Sequence, residues 1–377
     1  MGVKSLFGCV FRCLKAVPAW FWYVFSMFVL TRAVLTVIGV ISRKTIVLSS
    51  HAFKYTGIPV LDIWGVWDTE WFMRVATEGY STQLYGGYAS YGFFPLYPML
   101  MRFFGGFFGS NYVAGLMISN ISLFVACYYL YELVKMDDGE ETAMRSIWYF
   151  FIFPSAFILS GVFSEALFLA LLLACFYYAR KSRWVLVGIL GFFLSICRYI
   201  GFIAVLPLFF EYLKEKNFKL RGIKPDVLFL LLLPAGFLIY MFFLYHLTGD
   251  PLAYFHAQKS GWGFEVSNPL GHLFSMPEYP SQWVAKAAII AGLALFVVFF
   301  RKLRFSYWFL GVYSILVPLS TGAIPGTLRY FAPIFPLFIL FAKLGKNNYV
   351  NQLLTVVFAL LQGFLMMFWT VGAPMIV

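Results

Sequence analysis

Charge is scarce in this sequence. Asp, Glu, Lys and Arg make up 12% of its 377 residues, against about 25% in a soluble domain. Hydrophobic residues fill 62% of it, and apolar runs near the length that crosses a bilayer as a helix recur from end to end. A soluble globular protein is excluded. Cysteine is scarce as well. Cys9, Cys13, Cys127, Cys175 and Cys197 form no Cys-x-x-Cys pair and no even framework, so they read as free thiols, with Cys9 and Cys13 open to lipidation in a eukaryotic host. Asp-x-Asp, Walker A, GxGxxG after a strand and His-Glu-x-x-His are all missing, which leaves a cytosolic nucleotide substrate without a visible binding site. The first apolar run lacks the small-residue cleavage site of a signal peptide. No Gly/Ser linker, heptad run, internal repeat or separate soluble domain interrupts the chain, so residues 1–377 read as one transmembrane domain. The matched interrupted helices of inverted-repeat transporters are not evident.

What the sequence does carry is a net charge of +12, in short clusters beside apolar runs. That placement suits positive-inside topology and anionic lipid headgroups rather than nucleic acid. Candidate spans are 19–41, 112–134, 147–163, 165–180, 184–197, 199–213, 226–247, 283–300, 305–320, 331–344 and 350–372, about eleven in all. Several are short, as tilted, kinked or re-entrant segments are. The basic clusters are Lys4, Arg12 and Lys15; Arg180, Lys181 and Arg183; Lys214, Lys216, Lys219, Arg221 and Lys224; Arg301, Lys302 and Arg304; and Lys343 with Lys346. Set in the cytoplasm, they put the N-terminus inside and the C-terminus outside. The external side then receives a first large loop, 42–111, a second, 248–282, and turns near Ser164-Glu165, Arg198 and 321–330.

Intramembrane charge costs about 2.5–3.5 kcal/mol on insertion scales and marks function by default. This topology gathers Asp68, Glu70, Glu165, Arg198, Asp250, His256, Lys259 and Arg329 at or near the external face. Asp68 begins an expected amphipathic helix whose stripe is Trp64, Trp67, Trp71 and Val75, lying on the bilayer surface because Trp favours the interface. Glu70 and Arg74 pair at i,i+4 on its other face. Asp68 itself could be an N-cap, a solvated loop carboxylate or a chemical group. Phe93-Phe94-Pro95-Leu96-Tyr97-Pro98 reads as an apolar, proline-stiffened lead-in to the next helix, either a membrane anchor or a lipid contact. Pro154 is expected to kink the third span. Glu165 at a helix start either complements the dipole or works in the site. Arg198, between two short apolar halves, requires a carboxylate such as Glu165 or an anionic ligand. In the late loop His256 and Lys259 are possible phosphate ligands, and a lone His is poor evidence for a metal. Arg329-Tyr330 either binds phosphate or snorkels to the headgroups.

In this order the motifs resemble the PIG-V family of mannosyltransferases. The matching stretches are Trp67-Asp68 through Tyr80, Phe94-Pro95-Leu96-Tyr97-Pro98, Phe153-Pro154-Ser155-Ala156-Phe157-Ile158-Leu159-Ser160 with Ser164-Glu165-Ala166-Leu167-Phe168, Tyr178 through Trp184, Arg198-Tyr199-Ile200-Gly201, Gly249-Asp250-Pro251 with Trp262, and Arg329-Tyr330. The loops are shorter than expected of a eukaryotic GPI enzyme, which favours a prokaryotic relative.

The resemblance implies an all-α GT-C glycosyltransferase fold with interfacial helices in the first external loop. It implies inverting transfer of mannose from a polyprenyl- or dolichyl-phosphate-mannose donor to a glycolipid or glycan acceptor on the external or lumenal face. The host membrane would be the plasma membrane of a prokaryote or the endoplasmic reticulum of a eukaryote. Asp68 takes the position of the family's catalytic Asp. Arg198, Arg329, His256 and Lys259 are the candidates for the donor phosphate, with Trp67, Glu70, Trp71, Tyr97, Glu165, Gln258, Trp262 and Tyr330 as supporting or substrate-binding residues. A lipid monophosphate leaves with less charge than a nucleoside diphosphate, so no metal and no cofactor beyond the lipid-linked donor is expected. The alternatives are a transporter or flippase of a lipid-linked saccharide, which requires a polar path across the bilayer, and a non-catalytic membrane scaffold.

Overall fold

A computed structural model describes residues 18–277, 279–324 and 326–374. Cys9, Cys13 and the basic residues Lys4, Arg12 and Lys15 lie outside the described residues. The chain is helical, and the one strand pair among the described residues is a small hairpin, β1 (Leu84–Tyr85) and β2 (Tyr88–Ala89). The main helices are α1 (Ala19–Thr45), α2 (Thr69–Glu78), α3 (Leu96–Phe108), α4 (Asn111–Asp138), α5 (Glu140–Ile152), α6 (Glu165–Arg180), α7 (Trp184–Cys197), α8 (Val205–Glu215), α9 (Leu232–Thr248), α10 (Ala253–Trp262), α11 (Pro280–Val298), α12 (Phe305–Ser320), α13 (Phe335–Leu344) and α14 (Asn348–Thr370).

Local chemistry explains the boundaries. Ser110 caps α4 by accepting from the Val113 amide at 3.3 Å, and Gly139 ends it at φ 83°, a conformation open to glycine. Asn347 starts α14 by accepting from the amides of Tyr349 and Val350, the ordinary N-cap arrangement.

Among the described residues five helical stretches are long and apolar enough to cross a membrane: Ala19–Thr45, Asn111–Asp138, Pro225–Thr248, Ser281–Val298 and Asn348–Thr370. Shorter apolar helices stand between them, including α7, α12 and α13. The protein is an integral multi-pass membrane protein. Several expected spans are broken rather than continuous. The span expected at 147–163 ends at Ile152, continues as a single 3-10 segment, Ala156–Ser160, and then runs non-helical to Ser164. Pro154 is the reason: it disfavours helical geometry at Phe153, which sits extended at ψ 137°, so the helix stops instead of kinking. The expected 199–213 span likewise opens with a 3-10 segment, Tyr199–Ala204, ahead of α8.

Helix α4 packs on α6, α6 on α7, α7 on α9, α5 on α13, and α1 on α14. Fully buried aromatics and leucines, among them Leu169, Leu173, Phe176, Phe335 and Phe338, fill the middle. Charges gather at two ends. At one end Asp137 meets Arg180 at 2.6 Å, and Arg304 bridges Asp137 at 3.5 Å and Glu211 at 2.7 Å. Ser306 also donates to Glu211, and Lys343 pairs with Asp138 at 2.7 Å. Arg180 closes α6, and Glu165 opens it. At 1.5 Å per residue these ends stand about 22 Å apart. The second charged group is built around Glu165.

Candidate active site

The first loop is held in place before it offers any side chain to a ligand. Arg43, in the last turn of α1, donates to the carbonyls of Thr370 (2.8 Å), Phe53 (2.8 Å) and Gly65 (3.2 Å). Asp62 is buried and accepts from the amides of Tyr55 and Thr56 and from the Thr56 hydroxyl. Trp64 packs against Trp369. Trp67 then adopts φ 51°, rare for a bulky residue, and its ring stacks on His51 with centroids 4.1 Å apart. This sharp turn ends at Asp68, where α2 begins.

Asp68 occupies the N-cap position of α2 but makes no side-chain capping bond, so the N-cap duty considered from the sequence is not the one its carboxylate performs. Oδ2 accepts instead from Arg329 Nη1 at 2.5 Å. Among the described residues nothing hydrogen-bonds Oδ1. The expected apolar stripe is also corrected. The buried face of α2 is Thr69, Phe72, Val75 and Ala76. Trp64 precedes the helix and is in the core, while Trp67 and Trp71 line a cavity. The αL turn at Trp67 changes the phase that a continuous helix would have kept. Glu70 and Arg74 pair at 3.4 Å as expected, and Arg74 also reaches Glu78 at 3.6 Å.

Beyond Asp68 the charges alternate. Arg329 Nε lies 2.8 Å from Glu165 Oε1, and Arg198 Nη1 lies 2.8 Å from the same oxygen. Arg198 Nη1 also donates to Ser164 Oγ at 3.1 Å. Glu165 has no exposed surface and Arg329 only 7%, so Arg329 does not snorkel. Tyr330 lies under both guanidinium groups, at 5.3 Å from that of Arg329 and 5.9 Å from that of Arg198. Burial by itself would lower the pKa of Arg329, but the carboxylates of Asp68 and Glu165 outweigh it and hold the group above the usual arginine range. It is a permanent cation.

The cavity has a volume of about 990 Å³. Its wall collects residues from every segment assigned to one membrane face: Asp68, Glu70 and Trp71 from the first loop, Arg198 after α7, His256, Gln258, Lys259 and Trp262 from the late loop, and Arg329 with Tyr330. Phe202, Ile203, Tyr254, Phe255 and Val317 supply an apolar side. Glu165 sits behind this wall and reaches the cavity through its arginines.

His256 and Lys259 are on the wall but already carry partners, Asp250 at 2.6 Å and Glu265 at 2.7 Å. The His256 contact, with the Leu252 amide, holds the Asp250 carboxyl below its usual range. Gln258 donates to the Gly92 carbonyl at 2.9 Å and fastens α10 to the first loop. Trp262 lies so close that a Cβ on Gly92 would meet its ring at 2.8 Å. Tyr97, considered as a supporting or substrate-binding residue, does not reach the cavity. It is fully buried away from the cavity, where its hydroxyl meets the Gly115 carbonyl at 3.0 Å and Ser119 Oγ at 2.7 Å. The residue is amphipathic, and its polar tip serves helix packing between α3 and α4.

Sequence reasoning missed His51, Ser164, Tyr199 and Tyr254 on the cavity wall. Ser164 and Tyr199 stand within the quoted motifs but are uncharged, Tyr254 lies between Pro251 and Trp262 and is uncharged as well, and nothing in sequence pairs His51 with Trp67. No group of three His, Cys, Asp or Glu side chains able to hold a metal ion occurs among the described residues.

Neither a protein-family model nor a curated protein sequence matches the chain. Solved structures do. ArnT from Cupriavidus metallidurans, bound to undecaprenyl phosphate, matches with a TM-score of 0.53 at 11% identity, over 92% of this chain and 76% of that one. The Archaeoglobus fulgidus oligosaccharyltransferase tethered to an acceptor peptide with the NVT sequon matches with a TM-score of 0.49 at 13% identity, over 95% of this chain and 56% of that one. The likeness to ArnT extends over nearly the whole chain and is one of fold.

Proposed function

We propose that the chain is an inverting membrane glycosyltransferase, which moves mannose from a polyprenyl- or dolichyl-phosphate-mannose donor to a glycolipid or glycan acceptor at the external or lumenal face. The membrane would be the plasma membrane of a prokaryote or the endoplasmic reticulum of a eukaryote. The observation that carries the reading is Asp68, a carboxylate with one oxygen held by Arg329 and the other without a partner among the described residues, on the wall of a cavity that also presents Arg198.

In the proposed reaction an acceptor hydroxyl attacks the anomeric carbon and loses its proton to Asp68. A new carbon–oxygen bond forms on one face of the sugar. The anomeric bond to phosphate breaks on the other, and its electron pair leaves with the lipid phosphate. Arg198 and Arg329 neutralise the charge that develops there, and no resident metal is part of the proposal. An incoming phosphate competes with Asp68 for Arg329. Releasing Oδ2 from Arg329 frees both oxygens of Asp68 for the acceptor hydroxyl. The apolar side of the cavity suits the isoprenoid chain.

The decisive experiment incubates the purified protein with radiolabelled polyprenyl-phosphate mannose and host lipid extract. A labelled glycolipid or glycan product is expected. Absence of transfer from any polyprenyl-phosphate sugar overturns the reading, and passage of the intact donor across vesicles without consumption would instead make the protein a transporter.

Arg198→Ala provides a finer measurement. It leaves Asp68 and Arg329 paired but removes one guanidinium from the phosphate side. The donor KM is expected to rise about tenfold or more, the scale of one lost charge-assisted contact of 1.5–3 kcal/mol, with a smaller change in acceptor KM. An unchanged donor KM removes Arg198 from the phosphate site.

A further inference from the structure

Arg32 sits at the middle of the long apolar helix α1, is 7% exposed and has no carboxylate partner among the described residues. A buried intramembrane cation without a counter-charge is costly and calls for a function. Its guanidinium meets neutral acceptors. Nε donates to Ser160 Oγ at 2.7 Å, Nη2 to the Ala156 carbonyl at 3.2 Å and Nη1 to Thr31 Oγ1 at 3.4 Å. The rings of Phe28 and Phe151 are each 5.8 Å from it.

Two of those acceptors belong to the broken stretch between α5 and α6. A helix break inside the membrane frees carbonyl groups that lipid cannot satisfy. A second side chain from a distant helix answers the same need: Gln362 of α14 donates from Nε2 to the carbonyls of Phe151 at 2.8 Å and Phe153 at 2.9 Å. Arg32 and Gln362 therefore clasp the break from two sides.

The far end of that stretch holds the turn that carries Asp68. The Val162 amide donates to the Trp64 carbonyl at 3.3 Å, and Thr69 Oγ1 donates to the Val162 carbonyl at 3.3 Å. Thr69 is the residue after Asp68. The arginine side of the site hangs differently, because Glu165 begins α6, which packs along α4 and α7. Loosening the break therefore shifts the base while the arginines keep their anchor.

We propose that Arg32 and Gln362 are positioning residues for Asp68, acting through the segment 156–162 and not through contact with substrate. The inference rests on the transferase reading of the site.

The test measures kcat and donor KM for transfer from polyprenyl-phosphate mannose, together with thermal unfolding, in the purified full chain. Arg32→Met and Gln362→Met are expected to lower kcat at least tenfold with donor KM within about twofold of wild type, and Arg32→Lys to recover part of kcat because an ammonium still reaches neutral oxygens. Thr69→Val cuts the link at the other end. Arg32 and Thr69 share no contact, and independent sites combine additively. The double variant Arg32→Met/Thr69→Val is expected to lose no more kcat than the worse single variant. Multiplied losses in the double variant, or wild-type kcat in both methionine variants, overturn the proposal. So does a fall in activity that only follows the loss of folded protein, or one that appears as a raised donor KM. Should Arg32→Met not fold, the Gln362→Met/Thr69→Val pair gives the same readout. An inactive wild-type protein would overturn the transferase reading itself, whereas an active wild type with unaffected variants overturns this inference alone.

Discussion

Asp68→Asn abolishes sugar transfer and leaves the protein folded: that is the largest effect expected of any single substitution here. The amide cannot accept the acceptor's proton, and a positioned general base is worth about 10²–10⁴-fold in rate. The side chain keeps its shape and still offers Arg329 an oxygen in place of Oδ2, and Arg329 retains Glu165 at 2.8 Å. Expression and thermal unfolding should therefore change little. Transfer from radiolabelled polyprenyl-phosphate mannose is the measurement. Full activity in the Asn variant would remove Asp68 as the base and return it to a structural pairing with Arg329.

Removing Arg329 should act on stability and activity together. Arg329 joins Asp68 to Glu165, and Glu165 has no access to solvent. Arg329→Met leaves Asp68 unpaired and a buried carboxylate with Arg198 as its remaining partner. Breaking a buried pair by deleting one member costs about 3–5 kcal/mol. A large fall in unfolding temperature and loss of transfer are expected. Arg329→Lys separates the two effects. A lysine keeps the charge but not the planar fork that reaches two carboxylates at once, so the protein should fold while donor KM rises. Adding Asp68→Asn to Arg329→Met removes one uncompensated charge and should return part of the stability with none of the activity. Wild-type stability in Arg329→Met would show that the ion pairs contribute nothing to the fold.

These two residues also mark what could be read in advance. Asp68 was legible because a carboxylate beside tryptophans stands out in an apolar chain, and Arg198 because an arginine between two apolar halves demands a partner. Glu70 and Arg74 followed from helical spacing alone. The pairing of Arg329 with Asp68 was not legible, since 261 residues separate them and no local rule links them. Whether Tyr97 lines the cavity or packs behind it was not legible, because a motif position says nothing about which side of a helix faces a cavity. The tryptophan stripe failed for a backbone reason: Trp67 at φ 51° breaks the helical phase that the spacing assumed.

Composition and periodicity by themselves determined a multi-pass helical membrane protein with its charges kept largely out of the apolar runs. Those properties follow from the cost of charge in hydrocarbon, which acts residue by residue. Only the tertiary structure decided that Asp68, Arg329, Glu165 and Arg198 form one alternating chain of charge, and that Arg32 and Gln362 clasp the broken helix beside it. Such contacts arise where packed helices bring remote residues within about 3 Å, and a buried group then takes whichever partner the packing supplies.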